Sequence, residues 1–322
     1  MLASSISILL PVFFVIALGY WAGRSRQFDL DQVKGVNNLV VEFTLPALMF
    51  VGIVAMTADA LLAQASFLFV LFLGFAGAYL LTLLVSVTLL RRSLGEAALQ
   101  ASSVSFPSVA FMGFPIFDGL FGRASFEPVS SANAIGVLVI IPATVVLLEI
   151  DALRSNRGPA GSARPRTSLA QIAAVALFRS FKKPIVWVPL ASFGLIFLDI
   201  RVPNEVVAMA KLIGQTTSGV ALFAAGLVVA AYRLTLTAEV IGNVVAKMVI
   251  QPLGVAVLAL ALALPQSLTQ QSILMFALPT AAFAALLAPH YGRYESESAS
   301  TLILTTLAMV GLVPLIIFII GQ

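Results

Sequence analysis

Long apolar runs alternate with short polar breaks from one end of the chain to the other. A membrane-spanning helix needs about 20 mainly apolar residues. By that measure the runs predict helices near 3–23, 35–56, 64–90, 98–121 and 129–149, then near 184–200, 206–231, 236–264, 270–290 and 298–320. Between the two sets of five lies a polar stretch from Asp151 to Lys183, rich in Gly, Ser, Pro and Arg, with one amphipathic turn predicted around Leu169 to Phe178. The pattern therefore divides the chain into a membrane half over 1–150, a linker over 151–183 and a second membrane half over 184–322. The fold class it predicts is an all-α integral membrane protein with ten transmembrane helices.

Composition narrows the class further. Of 322 residues, 60% are hydrophobic and only 10% charged, with a mean hydropathy of +1.06, whereas an ordinary soluble domain is about a quarter charged. The net charge of +4 does not point to nucleic acid, because the basic residues sit in the short segments between apolar runs. Lys and Arg in such loops accumulate on the cytoplasmic side. Loops after odd-numbered helices hold Arg24, Arg26, Lys34, Arg91, Arg92, Arg154, Arg157, Arg164, Arg166, Arg179, Lys182, Lys183, Arg233 and Arg293; the even side holds Arg123, Arg201 and Lys211. This asymmetry predicts both termini outside an inner (plasma) membrane and a cytoplasmic linker that touches anionic lipid. The first run has no basic residue before it and two after it, so it reads as an uncleaved helix rather than a signal peptide. Whether two copies associate is left open.

Five helices on each side of a linker give the halves opposite orientations, as in many secondary transporters. Marks do recur between them: Pro107 and Pro279, Phe111 and Phe283, and Pro142 and Pro314 are each 172 residues apart, and Leu45–Phe50 matches Ser218–Phe223 at 173. Helices four and nine each carry a proline near the midplane, Pro107 and Pro279, flanked by Ser102, Ser103, Ser105, Ser108 and Thr280. Proline removes a backbone donor and clashes with the preceding turn, and irregular backbone at that depth is tolerated where protein buries it or water lines it. Two readings follow: ordinary kinks, with hydroxyls patching the freed backbone groups, or true breaks facing a cavity, where half-helix N-termini suit an anion.

Three motifs, Thr-Leu-Pro-Ala-Leu-Met-Phe from 44, Phe-Met-Gly-Phe-Pro from 111, and Lys247 with Pro252, together resemble the auxin efflux carrier family along the whole chain. That family includes plant auxin exporters and bacterial permeases for malate, malonate and similar acids. The resemblance implies ten helices as two inverted five-helix repeats, with broken helices four and nine crossed at the substrate site. One departure is Ser108, where many members carry asparagine. Sodium-coupled relatives of the broader architecture use acidic residues near the crossing, and here none falls between Leu99 and Pro115 or between Gln270 and His290.

Lys247 is predicted near the midplane of helix eight, where a charge is costly and is by default a functional hypothesis. Asn243 and Gln251, one turn to either side, share its face. The stripe reads either as an electropositive group that helps hold the anion or as a structural lysine bonded to a carboxylate or to carbonyls. Glu42, one turn before Pro46, is a candidate ion-pair partner of Lys247 or proton carrier, and equally a residue snorkelling to the surface. Thr217, in the polar run Gln215–Gly219, is opposite Pro46 by repeat matching, though small residues also serve plain helix packing. His290 reads as an interfacial cap or a proton gate.

The expected substrate site thus comprises Ser105, Pro107, Ser108, Phe111, Pro279, Thr280, Lys247, Asn243, Pro46 and Thr217. With no cysteine and one histidine, no metal site, cofactor or intramembrane catalytic centre is expected, and no Walker motif is present. The remaining contest is between a secondary carrier of a small organic anion, a sodium-coupled symporter and a membrane sensor.

Overall fold

The computed structural model describes residues 2–57, 59, 64–155, 174, 178, 181–231 and 234–320. The elements, in order, are α1 (Leu2–Arg24), α2 (Leu30–Leu39), α3 (Leu45–Val54), α4 (Ala65–Thr88), α5 (Leu94–Ser105), α6 (Phe114–Phe121), α7 (Phe126–Ser155), α8 (Pro184–Phe197), α9 (Asn204–Gly214), α10 (Thr217–Ala231), α11 (Ala238–Val245), α12 (Gln251–Ala261), α13 (Gln266–Phe276), α14 (Phe283–Tyr291) and α15 (Glu295–Ile320). Five stretches are long and apolar enough to cross a membrane: Ala65–Thr88, Pro128–Ala152, Asn204–Ala231, Ala238–Ala261 and Glu295–Ile319. Glu42–Val54 and Pro184–Phe197 are shorter apolar helices. Leu80, Leu84, Leu253, Val257, Leu260 and Phe318 all stand exposed on these elements, an apolar exterior that suits lipid contact. The amphipathic turn expected around 169–178 lies outside the described residues, apart from helical Ala174 and Phe178.

Local chemistry explains several boundaries. Ser93 and Glu96 form a reciprocal capping box at the start of α5, satisfying two backbone donors that a helix start leaves free. The Thr237 hydroxyl accepts from the Val240 N–H to cap α11. Prolines that stay within helical segments are handled in two ways. Pro11, Pro142, Pro189 and Pro314 remain inside continuous helices. Pro46 and Pro252 instead follow single π-turns, Val40–Thr44 and Ala246–Ile250. A π-turn shifts the hydrogen bonding from i−4 to i−5, as in the bonds from Leu45 N–H to the Val40 carbonyl and from Gln251 N–H to the Ala246 carbonyl. The helix thereby absorbs the clash that proline imposes on its preceding turn. Glu42 and Lys247 each lie in one of these turns.

The helices pack as two bundles. In one, α1 lies along α10, while α3 packs on α8 and α9. In the other, α4, α5, α7 and α11–α15 pack together. Gly19 and Gly226 set the distance between α1 and α10: a Cβ on Gly19 would lie 2.1 Å from the Phe223 carbonyl oxygen, and one on Gly226 would lie 2.2 Å from that of Ile16. Gly23 continues the contact against Ala230, so α1 presents the small-xxx-small pattern that lets membrane helices approach closely.

The α9–α10 break meets the π-turn between α2 and α3. Gly214 fits against the backbone of Ala47 and Leu48, and the buried Thr217 hydroxyl donates to the Thr44 carbonyl over 2.8 Å. Thr217→Val should remove this second bond to the carbonyl and cost about 0.5–1.5 kcal/mol, read as a lower unfolding temperature of the detergent-purified protein.

Candidate functional site

Helix four is broken rather than kinked. α5 ends at Ser105, Phe106–Ser108 run outside any helix, and a π-turn over Val109–Gly113 leads into α6. Helix nine is broken in the same way, between Phe276 at the end of α13 and Phe283 at the start of α14. The two non-helical segments cross antiparallel at the one isolated β-bridge among the described residues, Pro107 to Thr280. Ser108 N–H donates to the Pro279 carbonyl at 2.9 Å, and Ala281 N–H donates to the Phe106 carbonyl at 2.7 Å. The Thr280 hydroxyl donates to the Ser103 carbonyl, and Thr280 N–H donates to the Thr305 hydroxyl at 3.2 Å. Each break therefore supplies part of the hydrogen bonding that the other lost, and neighbouring helices supply the rest, which is how buried irregular backbone persists at membrane depth.

Aromatic rings wedge the crossing. Phe75 of α4 lies 4.7 Å from Phe276 and 6.4 Å from Phe106, centroid to centroid, and Phe106 meets Phe283 edge-on at 6.0 Å. Gly136 faces the Phe75 and Phe106 rings, and Gly74 faces Phe276. The contacts of Phe75 join residues far apart in the chain and leave no local signal in the sequence.

Two cavities meet the crossing. One of about 330 Å³ lies between the bundles, with Ile16 and Tyr20 of α1, Leu222 of α10 and Thr306 of α15 facing Ser108 and Ala282. The second, about 20 Å³, is bounded by Leu45 and Met49 of α3, Pro107, Ser108 and Asn133. Ser108 lines both, and among the described residues no hydrogen bond holds its hydroxyl. Ser105 instead donates to the Ala101 carbonyl at 2.7 Å inside its own helix. Thr217 is committed to the Thr44 carbonyl just before α3, and Pro46, buried in the first turn of α3, lines neither cavity. The Phe111 side chain lies outside the described set.

The polar stripe of helix eight faces the other side of the crossing and lines neither cavity at Lys247. Lys247 is fully buried; its Nζ donates to Gln251 Oε1 at 2.7 Å and to the Phe276 carbonyl at 2.9 Å. Gln251 Nε2 donates in turn to the Ser105 carbonyl at 2.8 Å. Asn243 accepts from Gln100 Nε2 at 2.8 Å and donates to Tyr294 and Thr301. Of the two structural partners expected for Lys247, carboxylate or carbonyl, the structure supplies the carbonyl. Glu42 stands half-buried in its π-turn and is not among the hydrogen-bond partners of Lys247.

A polar network caps one end of these helices. Arg92 pairs with Glu239, which accepts from the Tyr294 hydroxyl at 2.8 Å. The bond to Glu239 holds the Arg92 guanidinium above its ordinary pKa, and burial raises that of the Tyr294 hydroxyl. Arg293 pairs with Asp151 at 3.0 Å. The bundles are joined here by His290 Nε2 to Asn38 Oδ1 at 2.7 Å and by Lys183, whose Nζ donates to the Tyr291 hydroxyl at 3.0 Å and pairs with Glu149 at 3.6 Å, while Tyr291 donates to Glu149 at 2.8 Å. Sequence reading anticipated the basic residues as an orientation signal but missed their partners.

Interrupted helices that cross inside one of two helical bundles, with an apolar exterior, fit the class of multi-pass membrane transporters. The chain belongs to the membrane transport protein family, whose model matches residues 4–319; this is the auxin efflux carrier family that its motifs resemble. It is similar to the "Uncharacterized transporter YfdV" of Escherichia coli strain K12, 28% identical over 320 residues covering 99% of this chain and 98% of that protein. It is also similar to the "Putative malonate transporter" of Rhizobium meliloti strain 1021, 26% identical over 324 residues covering 99% and 97%. The "Lysosomal cholesterol signaling protein" of Mus musculus is 26% identical over 227 residues, 68% of this chain and 25% of that longer protein.

Proposed function

We propose that the protein is a secondary carrier of a small organic anion, in the class of malonate, malate or an auxin-like monocarboxylate, working by alternating access across the bacterial inner membrane. The observation that carries this reading is the position of Ser108: a hydroxyl on the helix crossing with no hydrogen bond among the described residues, opening into a cavity of about 330 Å³ between the two bundles. That volume is in the range of small-molecule sites, which pair apolar walls with a few placed polar groups. The first-turn N–H groups of α14 lie just past the crossing, where a helix start favours negative charge. Apolar walls from α1 and α10 would hold the carbon skeleton while Ser108 and the crossing meet the carboxylate.

The architecture we infer is ten spans in two inverted five-helix repeats, with both termini outside and the 151–183 linker in the cytoplasm. The shared offset of 172 residues supports it, as does the antiparallel bridge at equivalent places in the two halves. The bundle holding the crossing would rock against the α1–α10 bundle, and the His290–Asn38 and Lys183–Tyr291 contacts would part during that motion.

Flux in proteoliposomes tests the function, using malonate, malate, indole acetate and neutral analogues with the membrane potential set to each sign. Saturable flux of a carboxylate that responds to the potential is expected. A folded protein that binds a carboxylate but moves none would establish a sensor instead.

A further inference from the structure

A broken helix has two new ends, and the crossing disposes of them asymmetrically. The N-terminal ends, at Val109 and Phe283, lie on the side of the Ser108 cavities. The C-terminal ends of α5 and α13 present carbonyl oxygens without helical partners and carry partial negative charge. In discontinuous transporter helices, such carbonyls and C-terminal ends are where a coupling cation is coordinated. Here one primary amine serves that place. Lys247 Nζ donates directly to the Phe276 carbonyl on the last residue of α13 and to Gln251 Oε1. The Gln251 amide passes the contact on to the Ser105 carbonyl, the last residue of α5.

Three features distinguish this from a lysine that merely fills space. Nζ is fully enclosed, so it does not reach water. Among the described residues it has no carboxylate partner; its acceptors are neutral oxygens, a carbonyl at a half-helix C-terminal end and a side-chain amide, of the kind that coordinate sodium in discontinuous helices. The π-turn at Ala246–Ile250, followed by Pro252, aims both Lys247 and Gln251 at the crossing from one helix.

We propose that the Lys247 ammonium occupies a monovalent-cation position between the C-terminal ends of α5 and α13, so that the protein carries internally the positive charge a co-transported sodium ion would otherwise supply. This rests on the carrier reading. It makes transport by the native protein independent of sodium and makes Lys247 a positioning residue, one that holds the two half-helices at the crossing without touching the anion.

The test uses the full-length protein, Lys247→Ser and Lys247→Met, with choline chloride replacing sodium chloride at constant ionic strength. Serine shortens the side chain and leaves room for an ion among Gln251, Phe276 and its own hydroxyl; methionine fills the space without charge. The native protein should show the same thermal unfolding and flux in both salts. K247S should lose flux on the order of a hundredfold in choline, as expected when buried acceptors are left without their donor, and recover both flux and unfolding temperature as sodium is added. K247M should remain low in both salts. A native protein that requires sodium would overturn the proposal, as would K247M with native flux. So would K247S whose unfolding is indifferent to sodium, or which fails to fold in sodium as well as in choline. The unfolding arm reads cation binding directly, so it separates failure of this inference from failure of the anion-carrier reading.

Discussion

Gly226→Leu is expected to give the largest loss of folded protein of any single change considered. A Cβ at this position would lie 2.2 Å from the Ile16 carbonyl oxygen and 2.7 Å from the Tyr20 nitrogen. Both are backbone atoms of α1, so no side-chain rotation relieves the clash and the helices must separate. Membrane helices gain little from the hydrophobic effect when they associate and depend on close van der Waals packing. Overpacking commonly costs about 1–3 kcal/mol, and the backbone collision sets this case at or above the upper end. Gly19→Leu should behave alike, because its Cβ would meet the Phe223 carbonyl at 2.1 Å. Fluorescence-detected size exclusion of tagged protein should show the monodisperse peak collapse for both variants. Gly77→Leu is the control, since no atom lies within 4 Å of its added Cβ and its peak should persist.

Ser108→Leu should have the largest effect on transport with the fold retained. Ser108 borders both cavities beside the crossing, so a larger apolar side chain projects into the space assigned to the substrate and removes the hydroxyl. Its backbone N–H, bonded to Pro279, is untouched. We expect carboxylate flux to fall on the order of a hundredfold, equivalent to about 2.8 kcal/mol, with little change in unfolding temperature. Ser108→Ala keeps the space and loses only the hydroxyl. It should fall by about tenfold, the scale of one hydrogen bond to a charged group. Native flux in S108L would remove the crossing from the transport path.

The membrane class and most helix positions were legible because they depend on local quantities. About 20 apolar residues in a row suffice to specify a span, and the long spans at 65–88, 128–152 and 238–261 fall within or close to the predicted segments. Predicted boundaries erred where tertiary contacts extend a helix: α7 continues to Ser155, beyond the expected end near 149, because Asp151 pairs with Arg293 and lies against Gly95. The prolines marked where backbone hydrogen bonding must change. They could not say how, since Pro142 and Pro314 stay within helices while Pro107 and Pro279 lie in breaks.

That difference is a property of the tertiary structure. A break at membrane depth requires another segment to satisfy its freed carbonyls and amides, and Pro107 and Pro279 have one another's segments within reach. The same reason governs Lys247. Its depth and its shared face with Gln251 could be read from spacing alone, but its partner, the Phe276 carbonyl 29 residues away, exists only because α13 ends there. The sequence by itself determined a lipid-embedded chain with paired interruptions, through hydrophobic length and the missing N–H of proline. Tertiary structure decided which interruptions meet, that Ser108 opens on a cavity while Ser105 is committed to its own helix, and that Lys247 turns to helix ends, because each depends on distances between residues that no local pattern encodes.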